Sequence, residues 1–219
     1  VEEYFHAEAF AGVVRPDDWP TLGSRVVHAT ERVLDILDYA DVRATFFVLG
    51  WVAERQPGLV QEIHARGHEL ACHGYGHQMI SRLTPQEFAE DVKRAKKVIE
   101  DIAGTRVIGY RAPTFSVTRQ TMWSLDVLME AGFRYDSSIF PIVHDRYGIP
   151  DAPRFASRIP IVGHDTAMAE LPLSTVSVFG QRLPVAGGGY FRLLPYGLTR
   201  LAIRHINKVE RRPAVALMR

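Results

Sequence analysis

Helical and strand-like segments alternate along most of this 219-residue chain, and that alternation restricts it to an α/β fold with a parallel sheet or barrel. Ser24 to Tyr39 places Val27, Val33, Leu34 and Leu37 near one face of a helix, and ATFFVLG, Ala44 to Gly50, follows as a buried strand. Val52 to Arg66 is the next predicted helix, stopped by Gly67, and GHELAC, Gly67 to Cys72, reads as a short buried strand. Thr84, Pro85 and Glu87 form a helix-start signature, with Phe88, Val92, Ala95 and Ile99 on the helix up to Gly104. VIGY, Val107 to Tyr110, is a predicted strand. A helix from Thr118 carries Trp123, Leu125 and Leu128 towards Gly132, and FRYDSS, Phe133 to Ser138, is extended. Later come ELPLS at Glu170 to Ser174, a glycine-rich loop at Gly187 to Gly189, a helix from about Tyr196 to Asn207, and a strand-like AVALM at Ala214 to Met218. Phe140 to Ala169, rich in Pro, Asp and Arg, interrupts the pattern and reads as a long loop that could wall a substrate groove.

With 47% hydrophobic and 23% charged residues the chain can bury one sizeable core, and residues 1–219 are expected to form a single domain. A net charge of +1, with acids and bases interspersed, argues against the basic face that nucleic acid requires. The single cysteine, Cys72, has no partner for an internal disulfide and reads as a small core residue rather than a ligand. No run of about 18 apolar residues is present, so no membrane span is expected. No signal peptide is read, and the expected compartment is the cytoplasm. The chain opens on Val1 rather than Met, which predicts further residues upstream.

The segment HGYGH, His73 to His77, follows the strand of GHELAC, so two imidazoles four positions apart stand where a strand runs out into a loop. Strand ends are where α/β folds keep their sites. Two imidazoles at this spacing can close on one ion, and zinc, nickel, cobalt and iron all accept such ligands. A hydrolytic site needs one further oxygen ligand and a position left open for water. The same histidines read equally well as ordinary loop residues on spacing alone.

ATFFVLGW, GHELACHGYGH, GYRAPTFS, YDSSIFP and GGGYFRLLP, in that order, resemble the polysaccharide deacetylases of the NodB homology type, carbohydrate esterase family four. More narrowly, they resemble the subgroup found with exopolysaccharide biosynthesis in bacteria that use exosortase sorting. The similarity covers nearly the whole chain. It implies a deformed (β/α) barrel of about seven strands, one divalent metal, usually zinc, held by an acid and two histidines, and hydrolysis of N-acetyl groups on the amino sugars of a polysaccharide or oligosaccharide.

By this resemblance His73 and His77 are metal ligands. The family's first block ends a strand with two acids, a general base and a third ligand, and in the subgroup it resembles DVEDYFH. Here it reads VEEYFH, so the base is expected ahead of Val1. Residues two apart on a strand share a face, which makes Glu2 the candidate third ligand, with Glu3 as the competing choice. Arg111, in RAPTF, matches the arginine that orients the base, and a guanidinium beside a carboxylate keeps it ionised. Pro113 restrains the loop, and the backbone N–H of Thr114 matches the family's donor to the tetrahedral oxyanion. Asp136, in YDSS, is a candidate for anchoring the groove or tuning the acid side of the site, or else a local cap. Tyr4 and His6 are placed at the pocket mouth, while Trp51, Trp123 and Phe155 are read as packing aromatics.

The mechanism the resemblance implies is metal-assisted amide hydrolysis, with the ion polarising the acetyl carbonyl and activating water. The family's general acid is a histidine after the last core strand, where the subgroup resembles PAVFYLHPWE. This chain reads PAVALMR, ending at Arg219, and arginine does not release its proton near neutrality. The chain is therefore expected to be incomplete at both ends. Two other readings stay open: a metal- or glycan-binding remnant without turnover, and an amidohydrolase of the same fold acting on a small cyclic amide. GGGYFRLLP and the long loop from Phe140 favour a polymer groove.

Overall fold

Val26, Thr30, Leu34 and Leu37 recur at helical spacing and are the buried residues of α1 (Val26–Tyr39). The computed structural model describes residues 1–161 and 163–218. Their contacts fall into two compact units: Val1–Thr114 with Val127–Phe133, and Phe115–Asp126 with the chain from Arg134 on.

In the first unit α1 leads into β1 (Thr45–Val48), which alternates half-buried and buried positions. The helix expected over Val52 to Arg66 is two helices, α2 (Gly50–Arg55) and α3 (Pro57–Ala65). Pro57 is the cause: it lacks an N–H and disfavours helical backbone at the residue before it, and Gln56 sits at φ −130°, ψ 57°. Strand β2 (Glu69–Cys72) pairs in parallel with β1, Val48 opposite Cys72. The start signature at Thr84 is realised as a reciprocal capping box with Glu87, opening α4 (Pro85–Ala103), which ends at Gly104. Phe88, Val92, Ala95 and Ile99 are its buried stripe, contributing about 2 kcal/mol for each large apolar side chain removed from water.

The strand expected over Val107 to Tyr110 shrinks to β3 (Gly109–Tyr110), parallel to β2. Val107 is held by α4 instead: its carbonyl accepts from Lys96 Nζ at 2.8 Å and its N–H donates to Glu100 Oε1 at 2.8 Å. Helix α5 (Ser124–Glu130) starts later than expected, because Thr118 first caps a short 3-10 turn, Arg119–Thr121.

In the second unit β4 (Tyr135–Asp136) pairs in parallel with β6 (Ala167–Glu170), which also pairs antiparallel with β5 (Ser157–Pro160). The segment expected as one long loop, Phe140 to Ala169, thus contains an edge strand; its alternation is weak, with no position fully buried and a proline at its end. ELPLS is strand only at Glu170, since Pro172 cannot donate to a ladder. A hairpin follows, β7 (Thr175–Val178) and β8 (Gln181–Pro184), turning at Phe179 and Gly180, both with positive φ. The glycines expected as a loop open α6 (Gly188–Leu193), and α7 (Tyr196–Lys208) is where the periodicity places it. Ala214 to Met218 is not a strand: it is tied by Val215 to Ser174 and by Leu217 to Ala186, without a continuous ladder. Ile206 packs with Val176, Val185 and Ala186, and Phe140, Ile142 and Leu173 form a second cluster. The strands and helices realise the α/β class with parallel pairing that the alternation predicts, and among the described residues no helix is long and apolar enough to cross a membrane.

Candidate metal centre

Because β1, β2 and β3 are parallel, their carboxyl ends lie together, and Glu2, His73 and His77 gather there. Val1 lies beside β1 in the pattern of a parallel ladder: its amino group donates to the carbonyl of Phe47, and Leu49 N–H donates to its carbonyl at 3.3 Å. Glu2 leaves that pairing with its carboxylate towards the HGYGH loop. Glu2 Oε2 is 2.7 Å from His77 Nε2 and 3.7 Å from His73 Nε2. The three donor atoms lie within 4.8 Å of one another, which suits a single ion.

His73 follows the last residue of β2, and its N–H donates to the Val48 carbonyl at 2.9 Å. Its Nδ1 is 2.6 Å from the carbonyl oxygen of Arg111, the residue after β3. A carbonyl only accepts, so Nδ1 carries the hydrogen and Nε2 presents its lone pair to the centre. Burial holds the ring well below the ordinary imidazole range; the neighbouring His77 pushes the same way, and Glu2 opposes it. A neutral imidazole is the form that ligates.

The loop between the two histidines is clasped from α4. Asp91 Oδ2 accepts the N–H of Tyr75 at 2.8 Å and Oδ1 that of Gly76 at 3.3 Å, while burial raises the Asp91 carboxyl above its usual range. Gly74 has φ +76°, and a Cβ there would lie 2.8 Å from Asp91 Oδ2. On the other side Gly50 and Trp51, at the start of α2, donate to the carbonyls of Gly74 and Tyr75 at 2.9 and 3.1 Å. A Cβ on Gly50 would meet Tyr75 Cδ2 at 2.6 Å and Ala95 Cα at 2.9 Å, so this approach of α2, loop and α4 requires glycine.

Glu3, the competing acid, faces elsewhere. Its carboxylate accepts from the Ser24 hydroxyl and, at 2.9 Å, from Arg25 N–H at the start of α1. Its own N–H donates to His6 Nδ1 at 3.0 Å, and the buried His6 ring stacks on His77 with centroids 6.3 Å apart. Trp19 and Trp51 pack edge-on to His6, whereas Tyr4 is partly exposed. Cys72 is fully buried, its Sγ accepts the Gly74 N–H at 3.3 Å, and burial pushes its thiol up, which keeps it a core group.

Arg111 is buried, with its guanidinium carbon 4.1 Å from the centre of the Phe47 ring. Thr114, the last residue of this stretch, has φ 55° and ψ 24°, a left-handed backbone uncommon for a β-branched residue. Asp136 belongs to the second unit. It is fully buried, accepts from Ser138 N–H at 3.1 Å and Ser138 Oγ at 2.5 Å, and burial raises its carboxyl against those bonds and one to Glu170. Arg219, at the position expected for a general acid, lies outside the described residues. Asp91 and the Arg111 carbonyl were not foreseeable as parts of the centre: a backbone oxygen has no sequence signature, and one aspartate on an amphipathic helix is ordinary.

Residues 17–135, more than half of the chain, match the family described as Polysaccharide deacetylase, and residues 137–218 match a Domain of unknown function (DUF3473). The chain is 32% identical over 110 residues to a peptidoglycan deacetylase-like protein of Gibberella zeae, covering 49% of this chain and 32% of that one. It is 32% identical over 111 residues to a peptidoglycan-N-acetylglucosamine deacetylase of Bacillus cereus, covering 48% and 38%. The matched stretch thus spans well under half the length of these relatives. The crystal structure of a candidate polysaccharide deacetylase from Mycobacterium smegmatis superimposes with a TM-score of 0.61 at 28% identity, covering 77% of this chain and 56% of that one. With the matching residues taking in HGYGH and RAPTF, the chain belongs to the polysaccharide deacetylase family.

Proposed function

We propose that the protein containing this chain removes N-acetyl groups from the amino sugars of a polysaccharide, with one divalent metal ion held by Glu2, His73 and His77. The observation that carries this reading is the convergence of one carboxylate oxygen and two imidazole nitrogens at the ends of parallel strands. That donor set leaves a coordination position open; zinc fits it best, and nickel, cobalt or iron suit the same ligands. When bound, the ion supplies Lewis acidity towards an amide carbonyl and towards water.

The chain's own residues do the positioning. The Arg111 carbonyl fixes the His73 ring, and Asp91 fixes the loop that carries both imidazoles. The buried Arg111 guanidinium supplies positive charge able to keep a nearby carboxylate base ionised. The backbone N–H of Thr114, which lies in a left-handed turn, is our candidate donor to a developing oxyanion, on the match of RAPTF to the family's loop. An exopolysaccharide is the substrate we favour, on the five ordered blocks; the Bacillus cereus relative is named for N-acetylglucosamine of peptidoglycan.

The test is acetate release from N-acetylglucosamine oligomers by the full-length protein, with metal content measured alongside. His73→Ala and His77→Ala are each expected to lose the bound metal and the acetate signal together. A double variant that retains the wild-type metal content would overturn the assignment of the centre.

A further inference from the structure

Charge is unevenly distributed in the second unit. Residues 192–212 hold Arg192, Arg200, Arg204, Lys208, Arg211 and Arg212, six of the chain's 26 Lys and Arg, but only one of its 25 acids, Glu210. Glu210 is already engaged by Arg154, with Nη1 2.7 Å from Oε1 and Nη2 3.1 Å from Oε2. A chain with net charge +1 therefore concentrates an excess of basic residues on α7 and its flanks, and among the described residues no ion pair involves Arg200, Arg204 or Lys208.

The same stretch exposes large apolar side chains. Leu193, Tyr196, Leu198 and Leu201 are 79%, 77%, 55% and 66% exposed, although they fall within nine positions. Scattered exposed leucines are ordinary; a group of this kind marks an interaction surface. Helix α7 buries Thr199 and Ile206, Ile206 packing on the base of the β7–β8 hairpin, so these apolar residues do not belong to its core face. Leu198 and Leu201 are three apart, and Arg204 and Lys208 follow Leu201 at the next helical steps, which interleaves leucine and cation on the outward side. Nucleic acid would use the cations and leave the leucines wet. An anionic bilayer uses both, since its headgroups attract the cations and the acyl boundary takes the leucines and the tyrosine ring.

We propose that α7, with the end of α6, is a peripheral docking face for a membrane surface bearing anionic lipids. The test is vesicle flotation with the full chain, using phosphatidylcholine vesicles with and without phosphatidylglycerol. Binding is expected only to the vesicles containing phosphatidylglycerol, and to weaken as salt is raised. R200Q/R204Q/K208Q is expected to lose roughly a hundredfold in partition coefficient. L198S/L201S, which keeps every charge, is expected to lose about tenfold. All five side chains are exposed, and a circular dichroism spectrum checks that each variant folds. The proposal is overturned if phosphatidylglycerol vesicles do not float the protein, if phosphatidylcholine alone floats it equally, or if L198S/L201S binds as well as the parent. The last result, together with equally leucine-independent binding to duplex DNA, would identify a general polyanion face instead.

Discussion

Gly74 is a residue at which the proposed metal centre has little tolerance. Its positive φ and the 2.8 Å approach of Asp91 Oδ2 to a would-be Cβ act together, so Gly74→Ala is expected to cost roughly 1–3 kcal/mol and to weaken metal affinity. Gly76→Ala is the control: its methyl would meet only Gln78 Nε2 at 3.9 Å, and stability should change by about 0.5 kcal/mol or less. Denaturant unfolding and metal competition measured on both variants distinguish them. His73 makes a pH prediction for the metal-stripped protein. Its folded pKa lies well below the 6.5 of the unfolded ring, so the unfolded chain takes up the proton first. The stabilisation is full above pH 6.5 and is lost as pH falls from there towards the folded pKa. Unfolding midpoints in chelator from pH 8 to pH 5 should decline for the parent and flatten in His73→Gln; equal slopes would refute this.

At the scale of elements, α4 carries two separable jobs. Its capping box holds the helix start, and Thr84→Ala should cost about 1 kcal/mol of stability while leaving metal affinity unchanged. Asp91, less than two turns further on, holds the HGYGH loop. Asp91→Ala strips the acceptor from two backbone N–H groups and should cost roughly 1–3 kcal/mol and lower metal affinity as well, with Asp91→Asn intermediate. Isothermal titration alongside thermal unfolding measures the two effects separately. The difference also explains what could be read from the chain. The box at Thr84 and the stripe Phe88, Val92, Ala95 and Ile99 depend on residues close in sequence with a fixed period, so pattern alone reveals them, whereas the choice of Glu2 over Glu3 also needs the family's first block as a reference for which face is the inner one. The grip of Lys96 and Glu100 on Val107, the clasp of Asp91, and the pairing of β5 with β6 each join two different segments across a turn or loop, and no local period encodes them. The hairpin at Phe179 and Gly180 lacks the usual Asn-Gly or Asp-Gly signal, and the glycines at the start of α6 imitate a loop.

At the scale of the whole molecule, each unit has its own fastening. In the second, the fork of Arg154 joins Glu210 and the carbonyl of Thr175, at 2.5 Å, in a largely buried setting. Arg154→Ala leaves a carboxylate without its cation and should destabilise that unit by about 3 kcal/mol. Hydrogen exchange should then quicken at Val185 and Leu217 while amides of β2 keep their protection. A uniform loss of protection across the chain would instead mean that the two units unfold as one. The first unit holds a different kind of reporter. Cys72 is the chain's single sulfhydryl, fully shielded on the strand that delivers His73, with its ionisation suppressed by burial. An alkylating reagent can reach it only when β2 is laid bare, so each labelled molecule records one such opening, and the labelling rate times the disassembly of the sheet that carries His73 without any engineered reporter.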